Sequence, residues 1–360
     1  MRDLKLTRFI CFLCAVLSAL HLFSIEIDII KNPAPNLKER QYVHLQKVKV
    51  IGADVGSDEF LFKPASLTMD ENNHLYVYDN LQARIFKFDG DFKLLKAFGK
   101  KGRGPGEFAG TGLSYMVVIK AGRDGKLYAN DIRSGKTIVF NQNGEYIRDF
   151  RYKTGTMVTP LADSRGNVYF TSVEKGTIDV LNEKQAALMS FDYGREDFNY
   201  LLYQPEPKLM KLASQNPSAE LLMDLTLDST LLVYFQNSST MVVMKNKRAV
   251  NKIRIWPEEA LASYKTEMIE LLKQNKEMFK KMFPQLFVDE DNGSHFYLQL
   301  GRNRQRNING LYQFNLRGEL LKVFYVRLNE PCFTRFEAKK NDLFYAIEDE
   351  KITIYKEEKK

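Results

Sequence analysis

The sequence predicts an all-β fold: a six-bladed β-propeller closed by an N-terminal strand and carrying helical insertions. Three observations predict it. A four-stranded unit recurs along the chain. A spare strand precedes the first unit, and the last unit lacks one. The composition also favours strands, with 25 Phe and 18 Tyr against a single Trp. With 44% hydrophobic and 27% charged residues over 360 positions, the chain is a folded protein rather than a disordered one. Three Cys exclude a disulfide scaffold and a Cys-rich zinc module, and four His make a poor supply for a multi-histidine metal centre. No metal ligands and no cofactor are expected.

The first element is an address, residues 1–24. Arg2, Lys5 and Arg8 precede an apolar run from Phe9 to Phe23, and Glu26 and Asp28 close it off. That is the pattern of an export signal, and the run is short for a membrane span, which needs roughly 20 residues. Small residues fit the cleavage positions after Ser18, Ala19 or Ser24 only imperfectly, so an uncleaved anchor through residues 9–23 is the alternative. Cys11 and Cys14 lack a lipoprotein lead-in. Removing residues 1–24 leaves 50 basic against 44 acidic residues, a charge of +6 spread along the chain. Export and diffuse charge argue against nucleic acid as a partner. Cys332 then stands alone and reads as a core residue. Residues 25–41 read as a linker.

The propeller itself spans 42–358. The first blade, near 62–108, reads Pro64-Ala-Ser-Leu-Thr-Met-Asp70, His74-Leu-Tyr-Val-Tyr-Asp79, Arg84-Ile-Phe-Lys-Phe-Asp89 and Leu94-Leu-Lys-Ala-Phe-Gly99. Each piece alternates apolar and polar residues, and each gap holds Asp, Asn or Gly, so four antiparallel strands joined by tight turns follow. Further blades fall near 110–153, 157–194, 223–256, 286–328 and 332–358. Asp124-Gly125, Asn143-Gly144 and Arg317-Gly318 mark their hairpins. The sixth copy stops one strand short. The segment 43–52 supplies it, which pairs the two ends of the chain and closes the ring. Gly56-Ser-Asp-Glu-Phe60 after that strand echoes Gly104-Pro-Gly-Glu-Phe108.

Gly99-Lys-Lys-Gly-Arg-Gly-Pro-Gly-Glu-Phe108, preceded by Leu75-Tyr-Val-Tyr-Asp79 and Arg84-Ile-Phe-Lys-Phe88, resembles an NHL repeat. The resemblance is sharp over 62–108, fair over 110–150 and faint beyond. It extends to the secreted bacterial six-bladed propeller proteins related to that repeat. Such propellers mostly bind proteins or other macromolecules, and a minority are lyases or hydrolases, so the resemblance implies fold more than function.

The glycines of that linker do not read as a phosphate loop, because no helix follows to present its N-terminal amides. Asp79 and Asp131, just after second strands, read as turn caps, with Arg84 as a partner of the first. First strands line the channel and offer Ser66, Thr68, Ser114, Asp163, Thr226, Asp228 and Arg335 as polar candidates. No repeating ligand set appears among them, and no nucleophile-elbow motif is present. No catalytic residue is therefore assigned.

Two insertions interrupt the repeat, 195–222 and 257–284. In the second, Leu261, Tyr264, Met268, Leu271, Met278 and Met282 recur at helical steps behind Pro257-Glu-Glu. A helix of roughly 40 Å at 1.5 Å per residue follows. It either packs over one face or presents residues such as Tyr264 and Lys265 to a partner. Arg302, Arg304 and Arg306 occupy a loop of the fifth blade, and Arg133 and Lys136 the matching loop of the second. Together they make a basic rim suited to an anionic glycan or an acidic protein patch. The expectation is an exported, periplasmic or extracellular, non-catalytic monomer that binds a protein or glycan through this rim and the helical insertion. The alternative is a secreted lyase or hydrolase with its site in the channel.

Overall fold

The computed structural model describes residues 29–31, 42–52, 61–109, 117–132, 134–151, 160–172, 177–182, 184, 187–192, 221–235, 240–245, 248–255, 285–291, 293–303, 308–327, 334–348 and 351–358. The address segment, residues 195–220 of the first insertion, all of the second, Ser114, Tyr264, Lys265, Arg133, Arg304, Arg306 and Cys332 lie outside them, whereas Leu221 and Leu222, read as the end of the first insertion, begin a strand of the fourth blade. Among the described residues, no helix is long and apolar enough to cross a membrane.

Two strands, β1 (Ile29–Lys31) and β2 (Tyr42–Ile51), precede the first blade. Blade 1 is β3 (Pro64–Met69), β4 (Leu75–Asp79), β5 (Arg84–Phe88) and β6 (Leu94–Phe98). The short parallel pair β7 (Lys100–Lys101) and β8 (Glu107–Phe108) leads to blade 2, made of β9 (Val117–Ala121), β10 (Leu127–Asp131), β11 (Lys136–Phe140) and β12 (Tyr146–Arg151). Blade 3 is β13 (Leu161–Ala162), β14 (Val168–Ser172), β15 (Thr177–Leu181) and β16 (Ala187–Asp192). Blade 4 is β17 (Leu221–Leu225), β18 (Leu231–Phe235), β19 (Thr240–Lys245) and β20 (Arg248–Arg254). Blade 5 is β21 (Gln285–Val288), β22 (His295–Asn303), β23 (Ile308–Asn315) and β24 (Leu320–Arg327). Blade 6 supplies β25 (Thr334–Lys340), β26 (Leu343–Glu348) and β27 (Lys351–Glu357), and β2 completes it.

Closure follows the expected route. Leu45 to Ile51 of β2 pair antiparallel with β27, from Leu45 opposite Glu357 to Ile51 opposite Ile352. The same strand also runs beside blade 5, with Tyr42–His44 parallel to Val323–Tyr325. One part of the chain differs from expectation. The segment 25–41 is not all linker, because Ile29–Lys31 pairs parallel with Lys252–Arg254 as a fifth strand of blade 4. The N-terminal segment thus covers the outer edges of blades 4, 5 and 6, and an unpaired edge would otherwise expose its backbone donors.

Blades 1, 2, 3 and 5 share a device that the sequence encodes in their turns. Asp70 accepts from the backbone nitrogens of Asn72 and His74 and from the Tyr76 hydroxyl at 2.9, 2.9 and 3.0 Å. Asp163 does the same with Arg165, Asn167 and Tyr169. The carboxylates of Asp124 and Asp289 reach Tyr128 and Tyr297 at 2.9 and 3.2 Å. The short side chain mimics a backbone turn, and its second oxygen accepts from a buried phenol. Burial and the adjacent Asp163 push the Tyr169 hydroxyl up to about 12, so the phenol stays a donor at any physiological pH.

The core lies between blades. Tyr78, Phe98, Phe108, Ile119 and Phe140 fill the wedge between blades 1 and 2, and Leu67, Val77, Phe88, Ile352 and Ile354 fill the one between blades 6 and 1. Inner strands have a further need, since no strand pairs with their channel edge. Side chains of neighbouring blades meet it. Ser66 Oγ and Thr68 Oγ1 accept from the nitrogens of Ile119 and Ala121 at 3.2 and 3.1 Å. Asp224 accepts from Val288, Gln299 from Phe336, and Glu337 from Leu67.

Candidate functional site: one face and the channel

Alternation of strand direction gives the ring two unlike faces. Turns from first to second strands, and from third to outer strands, emerge on one face. Residues 70–74, 122–126, 163–167 and 226–230 make four of the former, and each closes with backbone hydrogen bonds. Connections from second to third strands, and from one blade to the next, emerge on the other. These include 193–220 and 255–284, which join β16 to β17 and β20 to β21. The strand ends that bound both predicted insertions, and those that bound the segments holding Arg133 and Arg304 to Arg306, therefore lie on this second face.

Two residues of the expected basic rim, Lys136 and Arg302, lie outside any loop. Lys136 is not a rim residue. It is 2% exposed, and its ammonium donates to the Gly104 carbonyl at 2.9 Å and lies 3.4 Å from Asp149. A cation in that position fastens the blade 1 to blade 2 linker. Its place at the start of a third strand signalled a loop, but the side chain points back under the linker. Arg302 falls in β22, opposite Asn309, rather than in a loop. Arg84 stands opposite Asp79 in register, yet its guanidinium reaches the Ala97 carbonyl.

The linker behaves as a structural connection. Glu107 accepts from the Gly104 nitrogen at 2.8 Å and pairs with Lys100 at 3.0 Å. Those contacts hold its carboxyl below the usual range. Phe108 is fully buried, 5.0 Å from Tyr78 and 6.2 Å from Phe140 between ring centres. Gly99 has a positive φ of 77°, and a Cβ there would lie 2.6 Å from the Phe108 ring, so only glycine fits. Asp79 and Asp131 are the caps expected of them, and they reach further. Asp79 accepts from four backbone nitrogens, those of Phe62, Lys63, Leu81 and Gln82, at 2.7 to 2.9 Å. Asp131 accepts from Ala109 at 2.6 Å and Ser134 at 3.2 Å. Each thus ties the incoming linker of its blade to the turn that follows its second strand.

The channel holds charges that strand-by-strand reading passed over. Lys120 of blade 2 pairs with Asp224 of blade 4 at 2.8 Å. Arg123, in the first turn of blade 2, pairs with Glu290 of blade 5 and donates to the Leu225 carbonyl at 2.9 Å. These cations cross in front of blade 3, whose inner strand among the described residues is Leu161–Ala162. On β25, Arg335 pairs with Glu337 and donates to the Ala65 carbonyl. Burial outweighs the nearby Arg335 and Lys120 and raises the Glu337 carboxyl above its ordinary value. Of the predicted channel residues, Ser66, Thr68 and Arg335 lie on inner strands, whereas Asp163, Thr226 and Asp228 sit in tight turns. The signal for part of the missed set was alternation: Lys120 and Asp224 interrupt inner strands that otherwise read as apolar, whereas Glu337 lies on a strand already rich in charge. Among the described residues, no group of three His, Cys, Asp or Glu is arranged to hold a metal ion.

Comparison with known proteins agrees with the architecture. Residues 42–177 match the model of a family described as a 6-bladed beta-propeller, DUF5128. A Bacteroides vulgatus member of the DUF4221 family shares the fold at 10% identity, covering 89% of this chain and 99% of its own, with a TM-score of 0.56. A Bacteroides fragilis protein described as exported does so at 14% identity, covering 92% and 100%, with a TM-score of 0.54. A virginiamycin B lyase from Staphylococcus aureus aligns at 9% identity over 87% and 98%, with a TM-score of 0.49. No curated protein matches the sequence significantly.

Proposed function

We propose that the chain is an exported binding propeller that engages a protein or glycan through the face where its insertions are anchored. The observation that carries this reading is the contrast between faces. One is closed by short turns whose backbone groups are tied to Asp, Asn and Thr side chains. The other gathers the long blade-to-blade connections, 193–220 and 255–284 among them. Rigid scaffolds carry recognition on such connections. The basic n-region and apolar run of residues 1–24 support export.

The test is a footprint. The purified chain is screened against displayed random peptides and a glycan array, and hydrogen exchange is mapped with each ligand bound. Protection should concentrate at the edges of the blade-to-blade connections, including residues 99–109. Replacement of Arg302, Arg304 and Arg306 by Ala should weaken an anionic ligand while folding is kept. Protection confined to the tight turns would sink the reading.

The channel supports a second reading, in which Glu337 serves as a proton donor or acceptor beside Lys120 and Arg335. A screen for ester and glycoside cleavage or elimination with the natural chain and Glu337→Gln separates the two. Activity lost in the variant favours catalysis.

A further inference from the structure

We propose that His44 and Glu358 form a proton-sensitive clasp, which takes the place of a covalent turn in blade 6 and tightens ring closure as pH falls.

In blades 1, 2 and 5 the third strand runs into the outer strand through residues 89–93, 141–145 and 315–319. The same backbone hydrogen bond closes each turn. The nitrogens of Asp89, Asn141 and Asn315 donate to the carbonyls of Lys93, Glu145 and Glu319 at 2.9 to 3.1 Å. These bonds lie one step beyond the last strand pairs, Phe88 with Leu94, Phe140 with Tyr146 and Phe314 with Leu320. Blade 6 has no peptide link at this place, because β27 and β2 come from opposite ends of the chain. The backbone bond is kept all the same. Glu357 pairs with Leu45, and one step beyond it the Glu358 nitrogen donates to the His44 carbonyl at 3.0 Å.

The side chains at these equivalent places differ in one respect. In blades 2 and 5 the Asn141 and Asn315 amides donate to the Glu145 and Glu319 carboxylates at 2.6 Å. In blade 6 an imidazole stands in the amide's place, with His44 Nδ1 2.8 Å from Glu358 Oε2. An amide has no proton to gain, whereas an imidazole changes charge between about pH 5 and 8. Once protonated it faces the carboxylate as a cation, and the hydrogen bond becomes charge-assisted. Solvent reaches both side chains, which are 31% and 55% exposed, so the proton exchanges without opening the ring.

His44 is also where β2 changes partner. It lies opposite Tyr325 of β24, with ring centres 5.3 Å apart, and from Leu45 onward β2 pairs with β27. A tighter clasp therefore holds β2 against blades 5 and 6 together. The other charged or titratable groups around it are Lys322 and Tyr325 of β24, Lys356 and Glu357 of β27, and Lys47 of its own strand. Lys322 pairs with Glu357 at 3.3 Å and Lys47 with Glu348 at 2.9 Å, so both cations are turned to other carboxylates. Lys356 is exposed, opposite Gln46.

The experiment is hydrogen exchange on the full chain at pH 8 and pH 5.5, with each rate expressed as protection over its intrinsic value. Protection of residues 42–51 and 351–358 should rise about threefold on acidification of the natural chain. It should not rise in His44→Gln, which restores the amide–carboxylate pair of blades 2 and 5, nor in Glu358→Gln. His74→Gln removes another imidazole beside a carboxylate, that of Asp70 at 2.8 Å, and should keep the response. No rise in the natural chain overturns the clasp. So does a rise that survives in His44→Gln, or one that His74→Gln abolishes.

Discussion

The junctions between blades 1 and 2 and between blades 6 and 1 solve one problem with different chemistry. Each must satisfy the channel-side nitrogens of an inner strand. At the first, the acceptors are neutral hydroxyls, Ser66 and Thr68. At the second, the acceptor is the Glu337 carboxylate, bonded to the Leu67 nitrogen at 2.6 Å, and Arg335 and Lys340 donate to the carbonyls of Ala65 and Asp70. The first joins residues 53 apart in sequence, and the second joins residues 270 apart. Loop-closure entropy grows only logarithmically, so the longer closure costs about 1.5 kcal/mol more. One charge-assisted hydrogen bond covers that difference. The comparison teaches that ring closure needs little extra energy here, and that ionisable side chains meet the channel-side backbone of the inner strand at one of these two junctions and hydroxyls at the other.

The largest expected effect tests the neutral junction. Phe108→Ala should cost about 3–5 kcal/mol, because the ring is fully buried between Tyr78 and Phe140 and the space cannot collapse under Gly99. Urea unfolding measures it, and a loss under 1 kcal/mol would mean that the linker does not wedge the blades. Next come the clamps. Asp79→Ala strands four buried or half-buried backbone donors, whereas Asp131→Ala strands the two shown for it. Losses of about 3 and about 1.5 kcal/mol should follow, and equal losses would show that the extra bonds of Asp79 carry no net stability.

The architecture was legible because its determinants are local. Asp70-Glu-Asn-Asn-His74 and Asn143-Gly144 specify turns by themselves, and Val77 and Phe86 mark strands by pattern. The spare N-terminal strand was also legible, as a count. Pairings set by tertiary contact were not. Ile29–Lys31 has three residues and no turn to announce it. Lys136 reads as a solvated loop cation until Gly104 is seen to arrive over it. The pairing of Lys120 with Asp224 crosses 104 residues, so strand periodicity could mark each as a polar residue on an inner strand but not bring them together.

The charged junction yields the next prediction. Glu337 has its carboxyl raised above the ordinary 4.5, chiefly by burial, with Arg335, the Leu67 amide and Lys120 opposing the shift. The folded ring then holds a proton that the unfolded chain releases. This contribution is full below about pH 4.5 and is lost as pH rises through the raised value. Glu337→Gln keeps an acceptor for Leu67 and cannot ionise, so it should flatten that part of the stability–pH curve. An unchanged slope in the variant would place the ionisation elsewhere.

The smallest effect returns to the neutral junction. Ser66→Ala should cost about 1 kcal/mol by leaving the Ile119 nitrogen without its acceptor. The loss should be the same at pH 4 and pH 8, because no group that it touches titrates. A Ser66→Ala loss that varied with pH would show that the two junctions communicate around or across the channel. The natural candidate is Lys120, which follows Ile119 in sequence and lies near Glu337 across the channel. Repeating the measurement in the Glu337→Gln background decides it: coupling through that pair must vanish there, and an independent junction gives the same 1 kcal/mol in both backgrounds.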